Sequence, residues 1–224
     1  MTITKLLTPL MLNNAALRPN RTMTPASVTI HNTGNKNAGA SQHAKAQAAG
    51  NLKEIAVHYY VDDKAICQCL EDTWQGWHTG DGSNKQGGNY TSIGIEVCEH
   101  TGIDQRKAFE NAARLTAELC EKHGFGIEKV RTHQSWSGKY CPHILLDGTG
   151  GMTWSWLLGL VRSSMTEAKP SPELDNTPAD WASSAVAKAV ARGIVAGDGT
   201  GNLRLHEPVT MERLLVVLDR CGVL

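Results

Sequence analysis

The stretch 132–143, Thr-His-Gln-Ser-Trp-Ser-Gly-Lys-Tyr-Cys-Pro-His, constrains this chain more than any other. It sets an imidazole, His133, and a thiol, Cys141, eight positions apart around Gly138, so a turn can bring both onto one ion. Lys139 places an ammonium two residues before the thiol. A metal needs more than two protein ligands. The remaining ligands have to come from upstream.

Two alternating segments supply candidates. In Ser27-Val-Thr-Ile-His-Asn32, Val28 and Ile30 fall on one face and Thr29 and His31 on the other, the period of a half-buried strand. In Ser92-Ile-Gly-Ile-Glu-Val-Cys98, Ile93, Ile95 and Val97 share one face, leaving Glu96 on the other with Gly94 making room beside it. Taken singly, each histidine reads better as a hydrogen-bonded core or surface residue than as a ligand. Taken together, His31, His133 and Cys141 form a set of neutral imidazoles and a thiolate that suits zinc and leaves a fourth position for water or substrate. Glu96 would be the base beside it.

The rest of the chain predicts an α/β fold, a mixed central β-sheet flanked by helices, followed by a small helical module. Residues 1–26, broken by Pro9, Pro19 and Pro25, read as an irregular wrapping arm. A short helix is expected over 41–50, capped by Ser41 and stopped by Gly50. Segments 56–61 and 65–70 read as a hairpin turning at Asp62-Asp63-Lys64, with Cys67 and Cys69 as sheet packing. Residues 74–91 form a Gly- and Asn-rich loop of the length that is usually functional or mobile. Apolar residues at helical spacing (Phe109, Ala112, Ala113, Thr116, Leu119, Cys120) predict a helix over 104–122, ended by Gly124. A strand over 130–133 delivers the opening stretch, and a helix over 154–161 closes the first domain, 1–163.

Pro170, Pro172 and Pro178 mark 164–178 as an exposed linker. Beyond it, 179–224 predicts an amphipathic helix over 181–192, a Gly/Asp/Asn-rich loop, and a last helix capped by Thr210. So short a unit cannot build a confident core, so it is expected to lean on a second copy, by self-association, or on a docking surface.

Composition narrows the function classes. With 22 basic and 22 acidic residues and no basic run, nucleic-acid binding through net charge is not expected. The six cysteines are scattered without a CxxC pair, so a disulfide framework is not expected either. No apolar stretch approaches the ~20 residues that cross a bilayer, so no membrane span is expected. Pro9 interrupts the short apolar start, which argues against a signal peptide.

These residues resemble the zinc-dependent N-acetylmuramoyl-L-alanine amidases of the type-2, peptidoglycan-recognition-like group found in phage and bacterial endolysins. The resemblance spans about residues 20–162. It runs through Val-Thr-Ile-His31-Asn-Thr, Val-His-Tyr-Tyr-Val-Asp-Asp, Trp77-His78, Ser-Ile-Gly-Ile-Glu96-Val, and Thr-His133-Gln-Ser-Trp through Gly-Lys139-Tyr-Cys141-Pro-His. It implies one catalytic zinc on His31, His133 and Cys141, Glu96 as the catalytic carboxylate and Lys139 as its cationic helper. The implied reaction breaks the amide between muramic acid and L-alanine in peptidoglycan. Where some relatives carry a tyrosine beside the metal, this chain has Val57, so the variant that relies on Glu96 is expected. His78 and Trp77 are candidate substrate contacts from the long loop, His78 equally a residue that orients that loop, and His143 is a supporting neighbour.

The tail resembles one S-layer homology repeat through Trp181-Ala-Ser-Ser-Ala-Val, Gly193-Ile-Val-Ala-Gly-Asp-Gly-Thr-Gly-Asn and Pro208-Val-Thr-Met-Glu, modules that bind secondary cell-wall polymers. Its Thr210-Met211-Glu212-Arg213 departs from the family's Thr-Arg-Ala-Glu, and Asp198-Gly-Thr-Gly-Asn202 reads as a turn rather than a calcium loop. The expectation is a phage or prophage endolysin, made without a signal, released through a holin and acting at the bacterial wall. The alternatives are a peptidoglycan-binding recognition module without activity, in which relatives tend to lose the position of Cys141, and a wall-anchoring adaptor.

Overall fold

A computed structural model of the full chain describes residues 3–5, 22–53, 55–166, 176–197, 202–203, 205–206, 209 and 211–223. It divides into two compact units, 1–166 and 167–224.

Among the described residues the first unit is built on six strands: β1 (Ile3–Lys5), β2 (Ser27–Asn32), β3 (Tyr59–Val61), β4 (Ile66–Gln68), β5 (Ser92–Val97) and β6 (Val130–Thr132). They lie in the order β1-β4-β3-β5-β2-β6, and only the β3/β4 hairpin is antiparallel. The sheet is therefore mixed and mostly parallel. β1 sits within the predicted irregular arm and pairs parallel with β4. Three residues are too few for their alternation to register.

One face of the sheet is the main core. Val28 and Ile30 of β2 and Ile93, Ile95 and Val97 of β5 are fully buried there against α3 (Gln105–His123). Burial of each such side chain stabilises the fold by about 1.5–3 kcal/mol. Helix α3 starts where the Asp104 carboxylate accepts from the Lys107 N–H and stops at Gly124, whose φ of +69° suits glycine. After the short helix α5 (His143–Asp147), helix α6 (Trp154–Thr166) packs on α3 through Leu157 and Val161, and runs three residues into the stretch expected as linker.

The opposite face carries a second apolar cluster of Tyr60, Cys67, Cys69 and Cys98 under α1 (Ala40–Ala48). The predicted Ser41 cap is not used. The helix begins one residue earlier, and the Ala40 N–H donates to Asp62 Oδ2 at 2.8 Å. Gly39 is required there, because a Cβ would lie 2.8 Å from that same oxygen. Asp62 Oδ1 also accepts from the Lys64 and Ala65 N–H groups, and its carbonyl accepts from Asn111 of α3. One residue thus joins the hairpin turn to both flanking helices.

The long loop ends in a short helix, α2 (Gly88–Thr91). It and the single turn α4 (Gln134–Ser137) cover the polar side of β2, which is buried along its whole length rather than half-buried. Thr29 is held there by Ser92 Oγ and by the Trp136 indole N–H. Among the described residues, no helix is long and apolar enough to cross a membrane.

In the second unit, Trp181 belongs to a 3-10 turn (Asp180–Ala182) rather than to the predicted helix and is 90% exposed. Two helices follow, α7 (Ser183–Ala191) and α8 (Met211–Arg220), and Arg220 donates to the Ile194 carbonyl at 3.2 Å. The expected Thr210 cap and residues 198–201 of the possible calcium loop lie outside the described residues.

Candidate metal centre

Parallel pairing puts His31 of β2 opposite Glu96 of β5, and Glu96 opposite Tyr60 of β3. These side chains form a row across one face of the sheet. His133 follows directly on β6, the strand beside β2. After α4 the chain turns at Gly138, with φ of +77°, and returns so that the Gln134 N–H donates to the Cys141 carbonyl at 3.0 Å. The Asn32 N–H then donates to Cys141 Sγ at 3.4 Å.

The result brings the three predicted ligands together. His31 Nδ1 and His133 Nδ1 are 2.9 Å apart, Cys141 Sγ is 4.0 Å from His31 Nδ1, and the three donor atoms all lie within 4.8 Å of one another. All three residues are buried. Tetrahedral bonds of the length zinc makes to nitrogen would hold two nitrogens about 3.4 Å apart, so a shift of about half an ångström accommodates the ion. Calcium and magnesium ask for oxygen ligands. This two-nitrogen, one-sulfur set fits zinc.

The electrostatics agree with that fit. Burial holds His31 well below its ordinary range, aided by His78, His133 and Lys139. His133 is lowered to about 4 by burial and by Lys139, against an opposing pull from the Thr79 carbonyl and Asp81. Both rings are neutral at pH 7, as ligation requires. The Cys141 thiol is pushed up to about 11, chiefly by burial, so the charge of an ion is what would ionise it.

Glu96 is pushed up to about 7 by burial, with Lys139 lowering and Glu99 raising it. Its Oε2 is inaccessible and finds no hydrogen-bond partner among the described residues. Lys139 is exposed, and its charge reaches His31, His133, Glu96 and Cys141.

The other predicted residues fall differently. Trp77 is partly exposed and packs with Trp74 on Ala56 and Leu70. His78 is buried, with Nδ1 3.0 Å from His31 Nε2 and Nε2 3.1 Å from the Ser92 carbonyl. Both ring nitrogens are engaged within the protein, the arrangement of a residue that orients the loop. The room beside Gly94 is likewise filled, since a Cβ there would lie 2.8 Å from the His78 ring. His143 pairs with the buried Glu99 at 3.0 Å, and Lys36 reaches the other oxygen at 3.3 Å.

Three residues escape sequence reasoning. Asn89 accepts through Oδ1 from the N–H groups of His78 and Thr79, fixing the loop. His58, fully buried beside His78, accepts from the Gly94 N–H and donates to the Trp74 carbonyl. Glu99 has no partner within sequence reach. The His58-Tyr-Tyr run, with a polar ring in a β-prone segment, is the only signal among them.

Two imidazoles and a thiol converging beside a carboxyl group on an α/β sheet form a donor set of the kind that can hold a metal in a hydrolase. Comparison with known proteins gives the family. Residues 21–144 match the family model described as N-acetylmuramoyl-L-alanine amidase, and 174–210 match the S-layer homology domain. The chain belongs to the N-acetylmuramoyl-L-alanine amidase family. It is 42% identical over 154 residues to the N-acetylmuramoyl-L-alanine amidase CwlH of Bacillus subtilis strain 168, covering 68% of this chain and 59% of that one. Among solved structures it is similar to the catalytic domain of XlyA (37% identity, TM-score 0.64, 72% of this chain and 99% of that). A mutant endolysin from Bacillus subtilis is comparably similar (36% identity, TM-score 0.65, 72% and 99%). The chain spans only 59% of the length of CwlH.

Proposed function

We propose that the chain hydrolyses peptidoglycan at the amide between N-acetylmuramic acid and L-alanine, as an endolysin of phage or prophage origin. The observation that carries this reading is the convergence of His31, His133 and Cys141 within 4.8 Å, on the sheet face where Glu96 is raised to about 7. Membership of the amidase family and likeness to a solved endolysin support it.

In this reading His31, His133 and Cys141 hold one zinc ion, which when bound acidifies water and polarises a carbonyl. Glu96 takes the proton of the attacking water and delivers it to the leaving nitrogen as the C–N bond breaks, a shuttle suited to a group titrating near 7. Lys139 stabilises the oxyanion by its charge. Trp77, half exposed on the loop, is a candidate contact for the substrate. The S-layer homology unit retains the enzyme on the wall through a secondary cell-wall polymer, with self-association completing its small core.

Purified cell walls carrying a covalent dye, with zinc analysis of the same preparation, test the proposal. Dye release that chelator abolishes and zinc restores is expected. Zinc-free protein that lyses walls at the same rate in chelator would refute it. A peptidoglycan-binding module without activity would show binding with no release, and the presence of both Cys141 and Glu96 in the site argues against that alternative.

A further inference from the structure

Beyond the three donors, the hydrogen bonds around His31 decide which of its nitrogens faces the metal position. A carbonyl oxygen only accepts, so the Ser92 carbonyl, 3.1 Å from His78 Nε2, requires the His78 proton on Nε2. A neutral ring carries one proton, so His78 Nδ1 is left as an acceptor. Its neighbour at 3.0 Å, His31 Nε2, must then be the donor. That leaves the lone pair of His31 on Nδ1, the atom aimed at His133 Nδ1 and Cys141 Sγ. We infer that His78 is a positioning residue for the metal centre: through the relay Ser92 carbonyl, His78, His31, it fixes the His31 tautomer that presents Nδ1 to zinc.

The surroundings hold the relay rigidly. His78 is 7% exposed and His31 1%, so water does not compete for these bonds. The His78 backbone is pinned by Asn89, which is fully buried and accepts from its N–H at 2.7 Å. Gly94 and Gly76 leave space for the ring, since a Cβ on either would lie within 2.8 Å of it. A metal held on His31 Nδ1 leaves that ring's proton on Nε2, where His78 Nδ1 lies 3.0 Å away to accept it.

This inference rests on the zinc reading for its purpose, and the test separates the two. Nitrogen-15 NMR of the full-length protein at neutral pH, with and without zinc, reads each tautomer. Expected are His31 and His78 protonated on Nε2 in both states. His31 protonated on Nδ1 without zinc, or changing on loading, overturns the relay. In chelator competition, His78→Leu should weaken zinc binding about 10- to 100-fold, and His78→Asn, whose Oδ1 can accept from His31 Nε2, should restore most of it. Unchanged affinity in His78→Leu, or no rescue by His78→Asn in a folded variant, overturns the relay too. If the wild type binds no zinc, the zinc reading fails, and the metal-free tautomers still decide the relay.

Discussion

His31 and Glu96 are register partners on adjacent parallel strands, so a metal-ligand candidate and an acid–base candidate stand side by side on one face of the sheet. Their spacing is set by the strand ladder rather than by a loop, which is the more rigid way to hold two groups in a fixed relation. Removing the carboxylate should therefore leave the donor set in place. Glu96→Gln is expected to keep stoichiometric zinc while losing about 10²- to 10⁴-fold in wall hydrolysis, the usual contribution of a positioned acid–base group. Metal analysis alongside dye release checks this, and full activity would remove Glu96 from the reaction.

The raised Glu96 also has a stability consequence. Its folded value of about 7 exceeds the ordinary 4.5, so the folded state holds the proton more tightly than the unfolded chain. As pH rises through this window the ionised carboxylate costs the folded protein up to about 3 kcal/mol. In chelator-treated protein, Glu96→Gln should be more stable than wild type by about that amount at pH 8. The gap should close below pH 4.5. Urea denaturation across the range measures it, and equal stabilities at pH 8 would contradict the raised value.

Buried histidines give the opposite slope on the acid side. His58 is lowered to about 4 by burial, against the Trp74 carbonyl and Asp72. Below 6.5 the unfolded chain takes up a proton that the folded chain refuses. Stability is thus lost as pH falls, by about 2 kcal/mol from this residue at pH 5. Metal-free wild type should unfold at markedly lower urea at pH 5 than at pH 7, and His58→Asn should show a shallower dependence.

A mutation outside the donor set should separate stability from chemistry. Asp72 is buried and accepts from Tyr59 at 2.6 Å, Lys122 at 2.6 Å and His123 at 3.1 Å. Burial alone would raise its carboxyl, but these three partners outweigh burial and hold it low. Asp72→Ala strands the Tyr59 hydroxyl and should cost about 2 kcal/mol in urea denaturation. Zinc content and specific activity below the transition should not change.

Gly94→Ala probes the space beside Glu96 directly. The added methyl would meet His78 and Val57 at 2.8 Å, too close for either to remain where it is. A loss of about 1–3 kcal/mol is expected from such overpacking, together with weaker zinc retention. Wild-type behaviour in both would mean that the His78 ring has freedom the packing does not show.

Much of this site was readable because its residues break local rules. His31 and Glu96 are polar positions inside alternating strands, and His133 and Cys141 flank a glycine in a short segment. The helix over α3 was legible from its apolar spacing, Asp104 and Gly124. What stayed hidden depends on register and loop placement. Nothing local says that Gly94 makes room for His78 rather than for substrate, since that follows from how residues 74–91 fold over β5. Glu99 and His143 meet only once Cys141 has been brought back to Asn32. The α1 start was missed because its capping group, Asp62, lies 22 residues downstream.

That distant cap bears on the order of assembly. Helix α1 is short and Ala-rich, and nine residues are too few to hold a helix in water unaided. Asp62 closes its own turn through neighbours two and three residues away, so the β3/β4 hairpin can form from local contacts. The helix, by contrast, gains its anchor only once that turn exists. In a refolding experiment, amide protection in residues 40–48 should follow protection in the hairpin, and Asp62→Ala should delay both while slowing the helix more.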